Sequence, residues 1–493
     1  MKSGKAAGID SIHAEMMKAD LVTSTHILAD LFSKIWTEER IPTDWCKGLI
    51  VKLPKKGNLQ NCDNWRGITL LSIPSKIFCR ILLDRIQKAV DATLRSEQAG
   101  FRQGRGCIDQ IFTLRNIIEQ CIEWNAPLVI NFIDFKKAFD IVHRETVWKI
   151  LLSYGIPPKI VTLVRKFYEN FECSVIVNGE LSEWFSVETG VRQGCIISPI
   201  LFLITIDWVM RQTTADKARG IQWSFFYHHE DLDFADDLAI LATTHKQLQE
   251  KTDRLTRYAK QTELNINTAK TQVMSINQKQ NEHITVEGQH LENVDEFTYL
   301  GSLLSSDNGV KKDIQARLGK ARSAFARLRP VWKSSQYSLK TKVKLYNSNV
   351  KSVLLYGSEC WRATKSDMNK IDVFHNSCLR HICRIFWPQK ISNEELYKKT
   401  GCKNVTTEIK WKLFKWLGHV LRMDPDSIPK TALRWTPQGK RKRGRPRTTW
   451  RRTVESELRE LGITWGVAQK RAKDRSDWRS IVVALCSTGN EED

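Results

Sequence analysis

Three absences in the 493-residue sequence restrict what the chain can be before any motif is considered. Acidic residues are scarce beside basic ones, with 55 Asp and Glu against 77 Lys and Arg. No apolar run reaches the ~18 residues of a membrane-spanning helix, and no apolar stretch typical of a signal peptide follows the first residues. The 12 Cys are scattered without paired spacings, which favours reduced thiols over a disulfide framework. We therefore expect an intracellular protein that does not contact a membrane.

The size and the charge of the chain are the next constraints. A chain of this length exceeds one hydrophobic core and suggests about three domains, and 41% hydrophobic and 27% charged residues describe a globular protein. A formal net charge of +22 suits a polyanionic partner, because Lys and Arg neutralise phosphates and release counterions. Ribosomal and other basic proteins share this property, so charge alone assigns no function.

The segment 232–241 (LDFADDLAIL) places two adjacent acids, Asp236 and Asp237, between apolar residues. The alternation after the acids predicts a β-hairpin with both acids near its tip. Carboxylates in an apolar hairpin are costly without a nearby cation, and ligands that are all oxygen favour a hard ion such as Mg²⁺. The alternative is a solvated turn, since Asp is common in turns.

A second segment, 128–135 (LVINFIDF), is almost entirely apolar and carries Asp134 near its end. A strand that is apolar on both faces is usually central in its sheet. Asp134 is therefore expected at the end of a buried strand, where metal sites are often built. The long chain between Asp134 and Asp236 does not by itself show that they meet.

Three segments resemble, in order and spacing, motifs A, B and C of the reverse transcriptases of non-LTR (LINE-type) retrotransposons, and the chain is similar to the RTE and jockey-like group. They are 132–140 (FIDFKKAFD), 190–199 (GVRQGCIISP) and 234–237 (FADD), where Phe stands in place of the more frequent Tyr. The resemblance implies an α+β, right-hand polymerase fold of fingers, palm and thumb. It extends from Gly4 to about Ser305.

The resemblance also implies a division of the chain. No residues resemble the endonuclease domain that often comes first in this group, so we expect that domain to be lacking. The expected parts are 1–125 (fingers and the N-terminal part of the reverse transcriptase domain), 126–305 (palm with the catalytic carboxylates), 306–365 (thumb-like helices) and 366–493 (a mainly helical, basic nucleic-acid-binding region).

The activity that the resemblance implies is RNA-directed DNA polymerisation by two-metal nucleotidyl transfer, with template RNA, a DNA primer and dNTP as partners. Asp134, Asp236 and Asp237 would hold two Mg²⁺ ions, with Mn²⁺ as the alternative. Lys270, in a segment similar to motif D, would protonate the leaving pyrophosphate, although a surface Lys is an equal alternative. Two other functions stay open, an RNA-dependent RNA polymerase on the same palm and a non-catalytic RNA-binding relic of a decayed retroelement.

A basic hairpin over 48–71 would form the tip of the fingers. Its Arg66 and Lys55 are expected to contact the triphosphate, because Arg forks onto phosphate oxygens and Lys acts as a point charge. The sequence does not choose between Lys55 and its neighbours Lys52 and Lys56.

Two residues near motifs A and B are expected at the nucleotide. By the resemblance, Phe139 would close the pocket against a 2′-hydroxyl and so select dNTP, and Gln193 would contact the nucleotide. For Phe139 the alternative is an ordinary core side chain.

A loop rich in Gly and Arg, 96–106 (SEQAGFRQGRG), resembles the template-contacting segment of the family. Glycines allow a backbone to approach phosphates closely, and Arg102 and Arg105 would supply charge. As a bare pattern, such a loop is weak evidence.

The strongest basic run is 440–452 (KRKRGRPRTTWRR), in which eight of thirteen residues are Lys or Arg. Its Gly and Pro predict an extended strap that binds nucleic acid, with an aromatic face for stacking. A nuclear localisation signal is the alternative, and with it a nuclear as well as cytoplasmic location. The residues concerned are Lys440, Arg441, Lys442, Arg443, Arg445, Arg447, Trp450, Arg451 and Arg452.

Overall fold

The computed structural model describes residues 3–55, 57–216, 219–224, 227–278, 282–307, 309–439, 441 and 444–487. Within these ranges no helix combines the length and the apolar character that crossing a membrane requires.

The N-terminal part consists of four helices and a β-hairpin. The hairpin that the sequence predicts is present, and its two strands pair antiparallel with Leu53 opposite Arg66. The elements are α1 Ala14–Ala19, α2 Leu21–Glu38, β1 Lys47–Pro54, β2 Trp65–Leu70, α3 Ile73–Thr93 and α4 Cys107–Trp124.

The central part contains most of the strands. Its elements are β3 Leu128–Ile133, α5 Ala138–Ile141, α6 Arg144–Ser153, α7 Pro158–Lys166, β4 Glu172–Val177, β5 Glu180–Leu181, β6 Phe185–Ser186, α8 Ser198–Thr214, β7 Ile221–Gln222, β8 His228–His229, β9 Asp231–Phe234, β10 Asp237–Ala242, α9 His245–Gln261, β11 Gln272–Ile276, β12 Thr285–Val286, β13 Gln289–His290, β14 Glu292–Asn293, β15 Glu296–Tyr299 and β16 Ser302–Ser305.

Two five-stranded sheets organise these elements. One sheet has the strand order β14-β11-β3-β10-β9, with β3 at its centre, and a large hydrophobic core packs around it. Every residue of β3 is buried, which confirms the prediction made from its continuous apolar sequence. The other sheet joins β2-β1-β4-β5, with β6 paired to β4, and connects the N-terminal hairpin to the central part.

The two helices beside this sheet, α8 and α9, differ in how much of their surface is apolar. α8 is apolar over most of its circumference, and its buried residues Phe202, Leu203 and Ile206 pack in the same core as Ile240 of β10. α9 instead has one apolar face and packs against α8. β15 and β16 pair antiparallel and form a hairpin that ends the central part.

The C-terminal part is helical. Its helices are α10 Val310–Arg327, α11 Arg329–Lys333, α12 Leu339–Tyr346, α13 Ser352–Leu354, α14 Lys365–Ile382, α15 Asn393–Thr400, α16 Val405–Arg422, α17 Ile428–Arg434, α18 Trp450–Glu460, α19 Trp465–Arg471 and α20 Arg475–Ser487.

Two hydrophobic clusters divide this helical part differently from the expected ranges. One joins α10, α12, α14 and α15 to the start of α16. The other joins the rest of α16 with α18 and α20, and it includes Ile111 and Phe112 of α4. A helix expected in the fingers thus shares a core with the C-terminal helices, and the domain boundaries themselves stay predictions.

Candidate active site

The sheet β14-β11-β3-β10-β9 is called the palm sheet below. The register of its strands brings three carboxylates to one end of β3 and β10. β3 and β10 pair so that Ile133 lies opposite Leu238. The next residues outward from that pair are Asp134 and Asp237, and Asp236 lies in the turn between β9 and β10. The structure therefore brings together the two segments whose meeting the chain separation left undecided.

Two of the three carboxylates, Asp236 and Asp237, have raised pKa values. Asp237 reaches the surface, but the protein atoms around it remove water and, with Asp236 and Asp134, raise its pKa to about 6. Loss of water also raises the pKa of Asp236, and the charge of Asp134 adds to this effect while Arg66 opposes it. A bound cation would remove this mutual repulsion.

The donor atoms suit a hard divalent cation, since all of them are carboxylate oxygens. Across the described residues no group of three or more His, Cys, Asp or Glu side chains is already assembled at metal-binding distance. The residues therefore fit such an ion chemically, and the side chains would have to converge on it.

A loop after α9 holds Asp134 from several directions. The backbone N–H of Asn267 donates to the Asp134 carbonyl at 2.8 Å, and its side-chain Nδ2 donates to Oδ2 at 3.1 Å. The Asp134 N–H donates to Thr271 Oγ1 at 3.2 Å. Lys270 Nζ lies 3.6 Å from Asp134 Oδ2 while its side chain is 71% exposed. The loop thus carries the predicted Lys270 to the carboxylate site.

The hairpin turn is held by a buried residue that sequence reasoning did not single out. Gln98 Oε1 accepts from the N–H of Ala235 at 2.8 Å, and Gln98 Nε2 donates to the Ala235 carbonyl at 3.3 Å. Ala235 has a positive φ of 56° and directly precedes Asp236. Gly100 packs so closely that an added Cβ would lie 2.3 Å from the Ala235 nitrogen.

A buried charge cluster lies beneath the same hairpin. The Arg95 guanidinium forms ion pairs with Asp231 at 2.9 Å, with Asp233, and with Asp207 at 3.4 Å. The side chains of all three acids are fully buried. Burial and the neighbouring Asp231 raise the pKa of Asp233 well above its usual range. Asp207 also accepts from Tyr154 Oη at 2.7 Å, so its role is structural.

The two residues predicted to contact the nucleotide, Phe139 and Gln193, lie where motifs A and B come together. Phe139 is partly buried and stacks on Phe202, with 4.3 Å between the ring centroids. Gln193 Nε2 donates to Asp140 Oδ1 at 2.7 Å, and its carbonyl accepts from the Thr69 N–H at 2.7 Å. Phe139 and Gln193 therefore lie between the palm and the β1–β2 hairpin.

The predicted triphosphate cations differ in their surroundings. Arg66 is exposed on β2, and its charge reaches Asp236. Lys55 Nζ donates to the Asp63 carbonyl at 3.1 Å, within its own hairpin. Lys56 lies outside the described residues. Of the predicted triphosphate cations, Arg66 is therefore the one that the structure associates with the carboxylates.

The prediction that Arg102 contacts the template is wrong. Its guanidinium is buried and bonds to the Asp91 carboxylate and to the carbonyls of Asp91, Arg95 and Gln98. These bonds use the donors of the guanidinium, so it organises the loop. Arg105 is exposed, and its role at a template stays a prediction.

The prediction of a stacking face at Trp450 is also wrong. Trp450 begins α18, is only 3% exposed and packs edge-on against Phe112. Its Nε1 donates to the Glu359 carbonyl at 3.0 Å. The residue is part of the core shared by α4, α16 and α18, and no base can reach it.

The basic run is partly bonded to the protein. Arg441 pairs with Glu123 at 3.5 Å, Arg452 lies 2.5 Å from the same carboxylate, and Arg451 pairs with Glu455 at 2.8 Å. Arg445 and Arg447 are exposed. The remaining predicted residues, Lys440, Lys442 and Arg443, lie outside the described residues. Nucleic-acid binding by the run stays a prediction, but its end at Arg451 and Arg452 is the first turn of a helix rather than an extended strap.

Comparisons with known proteins agree with this site. The family model described as reverse transcriptase (RNA-dependent DNA polymerase) matches residues 53–304, and a domain of unknown function matches residues 324–356. A probable RNA-directed DNA polymerase from transposon BS of Drosophila melanogaster is 26% identical, over 77% of this chain and 43% of its own length. The RNA-directed DNA polymerase from mobile element jockey of the same species is 25% identical, over 78% and 42%.

Among solved structures, apo telomerase from Candida tropicalis is 11% identical and covers 83% of this chain and 72% of its own, with a TM-score of 0.41. The chain spans less than half the length of the two curated relatives. The matched residues include Asp134, Asp236 and Asp237, the carboxylates that the palm sheet brings together. On the match over half of its length, the chain belongs to the reverse transcriptase (RNA-dependent DNA polymerase) family.

Proposed function

We propose that this chain is the polymerase part of a non-LTR retrotransposon protein and copies RNA into DNA. The observation that carries the proposal is the position of three neighbouring carboxylates at the end of a buried palm strand, with the exposed Arg66 and the half-buried Phe139 nearby. Its substrates would be a template RNA, a DNA primer end and dNTP.

In this proposal Asp134, Asp236 and Asp237 would hold two Mg²⁺ ions. The chemistry that such ions supply is activation of the primer 3′-hydroxyl and stabilisation of the leaving pyrophosphate. Lys270, which lies beside Asp134, would donate a proton to that pyrophosphate. Arg66 would pair with the triphosphate, because it lies near the carboxylates and forms no ion pair with another described residue.

The experiment is primer extension on an RNA template, first with dNTP and then with rNTP. Extension with dNTP alone supports the proposal. Extension with rNTP at a comparable rate would favour an RNA-dependent RNA polymerase. RNA binding without extension would favour the non-catalytic relic. The nuclear and cytoplasmic location belongs to the same proposal and would be read by microscopy.

Replacing Phe139 by Val is expected to admit rNTP. The ring stacks on Phe202 and would occupy the space that a 2′-hydroxyl needs, so shortening it opens that space. A lost steric exclusion of this kind is worth roughly 1–3 kcal/mol, or about 10- to 200-fold in the ratio of kcat/KM values. Single-nucleotide incorporation with dNTP and rNTP measures the ratio.

The matched control is Phe185→Val, because Phe185 is an exposed Phe on β6, away from motif A. An unchanged preference for dNTP in Phe139→Val would show that Phe139 is only a packing residue.

A further inference from the structure

A basic cavity of about 700 Å³ lies between α16, α17 and α19, beside β7 and away from the carboxylates. Trp223 and Trp435 form part of its wall and stack on each other at 5.5 Å. Four of the lining side chains are basic, and none is acidic. They are Lys430, Arg434, Lys470 and Lys473.

The charges of this cavity are largely uncompensated. Of the described residues, none forms an ion pair with Arg434, Lys470 or Lys473. Lys430 donates to the Met423 carbonyl. Burial, together with repulsion from Arg434 and Lys473, lowers the pKa of Lys430, while the nearby acid Asp424 opposes the shift. The cavity thus concentrates positive charge that the protein itself does not neutralise.

The four cations form two pairs on different elements. Lys430 and Arg434 are four residues apart on α17, so they lie on one face of that helix. Lys470 lies in the last turn of α19, and Lys473 lies in the turn that follows it. Each phosphate of an RNA strand carries one negative charge, so each cation can neutralise one phosphate. Four cations around one recess suit consecutive phosphates of a single strand.

We propose that this cavity binds the phosphates of a single-stranded RNA segment and so holds the RNA at a distance from the carboxylate site. The partner rests on the proposed function, which makes RNA the template. The positive charge is recessed among helices, which suits a flexible single strand better than the broad face of a duplex.

The test compares two triple variants that remove the same charge. The cavity variant is Arg434→Gln/Lys470→Gln/Lys473→Gln. The control variant is Lys34→Gln/Lys149→Gln/Lys246→Gln, which changes exposed lysines on α2, α6 and α9. Affinity for a labelled single-stranded RNA is measured by anisotropy between about 50 and 200 mM salt.

Loss of three phosphate contacts is expected to flatten the slope of log affinity against log salt by about 2, at ~0.7 for each contact to a single strand. The control should keep the wild-type slope. Equal slopes in the two triple variants would overturn the proposal, including the case in which the cavity takes only inorganic phosphate. Equal flattening with duplex DNA and single-stranded RNA would overturn its preference for a single strand.

Polymerase activity separates this proposal from the proposed function. On a saturating, pre-annealed template–primer the cavity variant should extend at the wild-type rate, and loss of that rate would overturn a role remote from catalysis. Wild-type protein that binds RNA with the steeper slope but extends no primer would refute the polymerase and leave the RNA cavity standing.

A second, independent observation concerns Gln98. We infer that Gln98 is a positioning residue for Asp236, because it bonds both backbone groups of Ala235, the residue in the left-handed conformation just before it. Gly100 N–H donates to the same Oε1 at 2.8 Å, which fixes the orientation of the amide. The inference rests on the proposed function for its kinetic readout.

The chain offers a matched control in Gln110. This buried residue donates to the carbonyls of Glu97 at 2.8 Å and Asp233 at 3.0 Å, so it bonds the same hairpin without touching its turn. Gln98→Met and Gln110→Met remove an amide from similar surroundings. If Gln98 had only a structural role, Gln98→Met and Gln110→Met should change the melting temperature equally and should also change activity equally.

Gln98→Met is expected to lower kcat by on the order of 10- to 100-fold with KM for dNTP nearly unchanged, because a misplaced carboxylate impairs the chemical step. Gln110→Met should keep kcat within about twofold at a similar melting temperature. Mn²⁺ titration of the free protein by EPR gives a readout apart from activity, and Gln98→Met should bind more weakly. Equal kcat and Mn²⁺ affinity in the two variants would overturn the inference.

Discussion

Replacing Asp236 by Asn is expected to abolish primer extension while leaving RNA affinity within about twofold. The substitution keeps the shape of the side chain and removes the charge that would bind a divalent cation. Asp236 lies at the hairpin tip beside Asp134 and Asp237, whereas the basic cavity at Lys430 and Arg434 lies elsewhere on the chain. Loss of one group that stabilises the transition state electrostatically costs on the order of 10²–10³-fold in rate, and loss of the cation that Asp236 would hold adds to this cost.

Stability provides a second readout for this variant. Asp236 and its two acidic neighbours repel one another, so removing one charge should leave the melting temperature unchanged or raise it. The control is Asp30→Asn, the same change at an exposed position on α2. Extension by Asp236→Asn at a rate near that of the control would exclude Asp236 from the metal site.

The sequence predicts the centre of the palm well because local patterns decide it. The continuous apolar run before Asp134 required a buried strand, and β3 is buried at every residue. The alternation after Asp237 predicted the return strand of a hairpin. That strand, β10, pairs with β3 and is buried at every residue after Asp237.

Long-range polar contacts could not be predicted in this way. Gln98 bonds Ala235 across 137 residues, and Arg95 bonds Asp231 across 136. Neither contact leaves a periodic signal, and Gln98 lies in a loop whose glycines and arginines suggested a template contact. The error at Arg102 has the same cause, because exposure of an Arg in a loop cannot be read from composition.

The sequence does contain a signal that Trp450 belongs to the core. Trp450, Val454 and Leu458 recur at helical spacing and are all buried on one face of α18. Thr449 Oγ1 accepts from the Arg452 N–H at 3.2 Å, which is the usual cap of a helix N-terminus. The charge of the run concealed an amphipathic helix that begins within it, at Trp450.

Replacing Arg95 by Met is expected to destabilise the protein by about 3–5 kcal/mol, because it leaves buried carboxylates without their cation. Arg95 pairs with Asp207, Asp231 and Asp233, whose side chains are fully buried. Asp207 also pairs with Arg211 at 2.8 Å, so Asp231 and Asp233 are the acids that depend on Arg95. Urea unfolding measures the loss, and Arg95→Lys, which keeps the charge but not the fork, should lose less.

The dependence of this loss on pH identifies its cause. The pKa of Asp233 is already raised by burial and by Asp231, and Arg95 is the group that opposes this shift. Without Arg95 the folded state holds its proton still more strongly than the unfolded state, so stability falls as the pH rises above the usual Asp range. Arg95→Met should therefore regain stability as the pH is lowered from neutral to about 5.

The triple variant Arg95→Met/Asp231→Asn/Asp233→Asn should recover part of the loss at neutral pH, since the uncompensated charges are gone. A loss that is the same at both pH values and in the triple variant would show that Arg95 acts by packing alone.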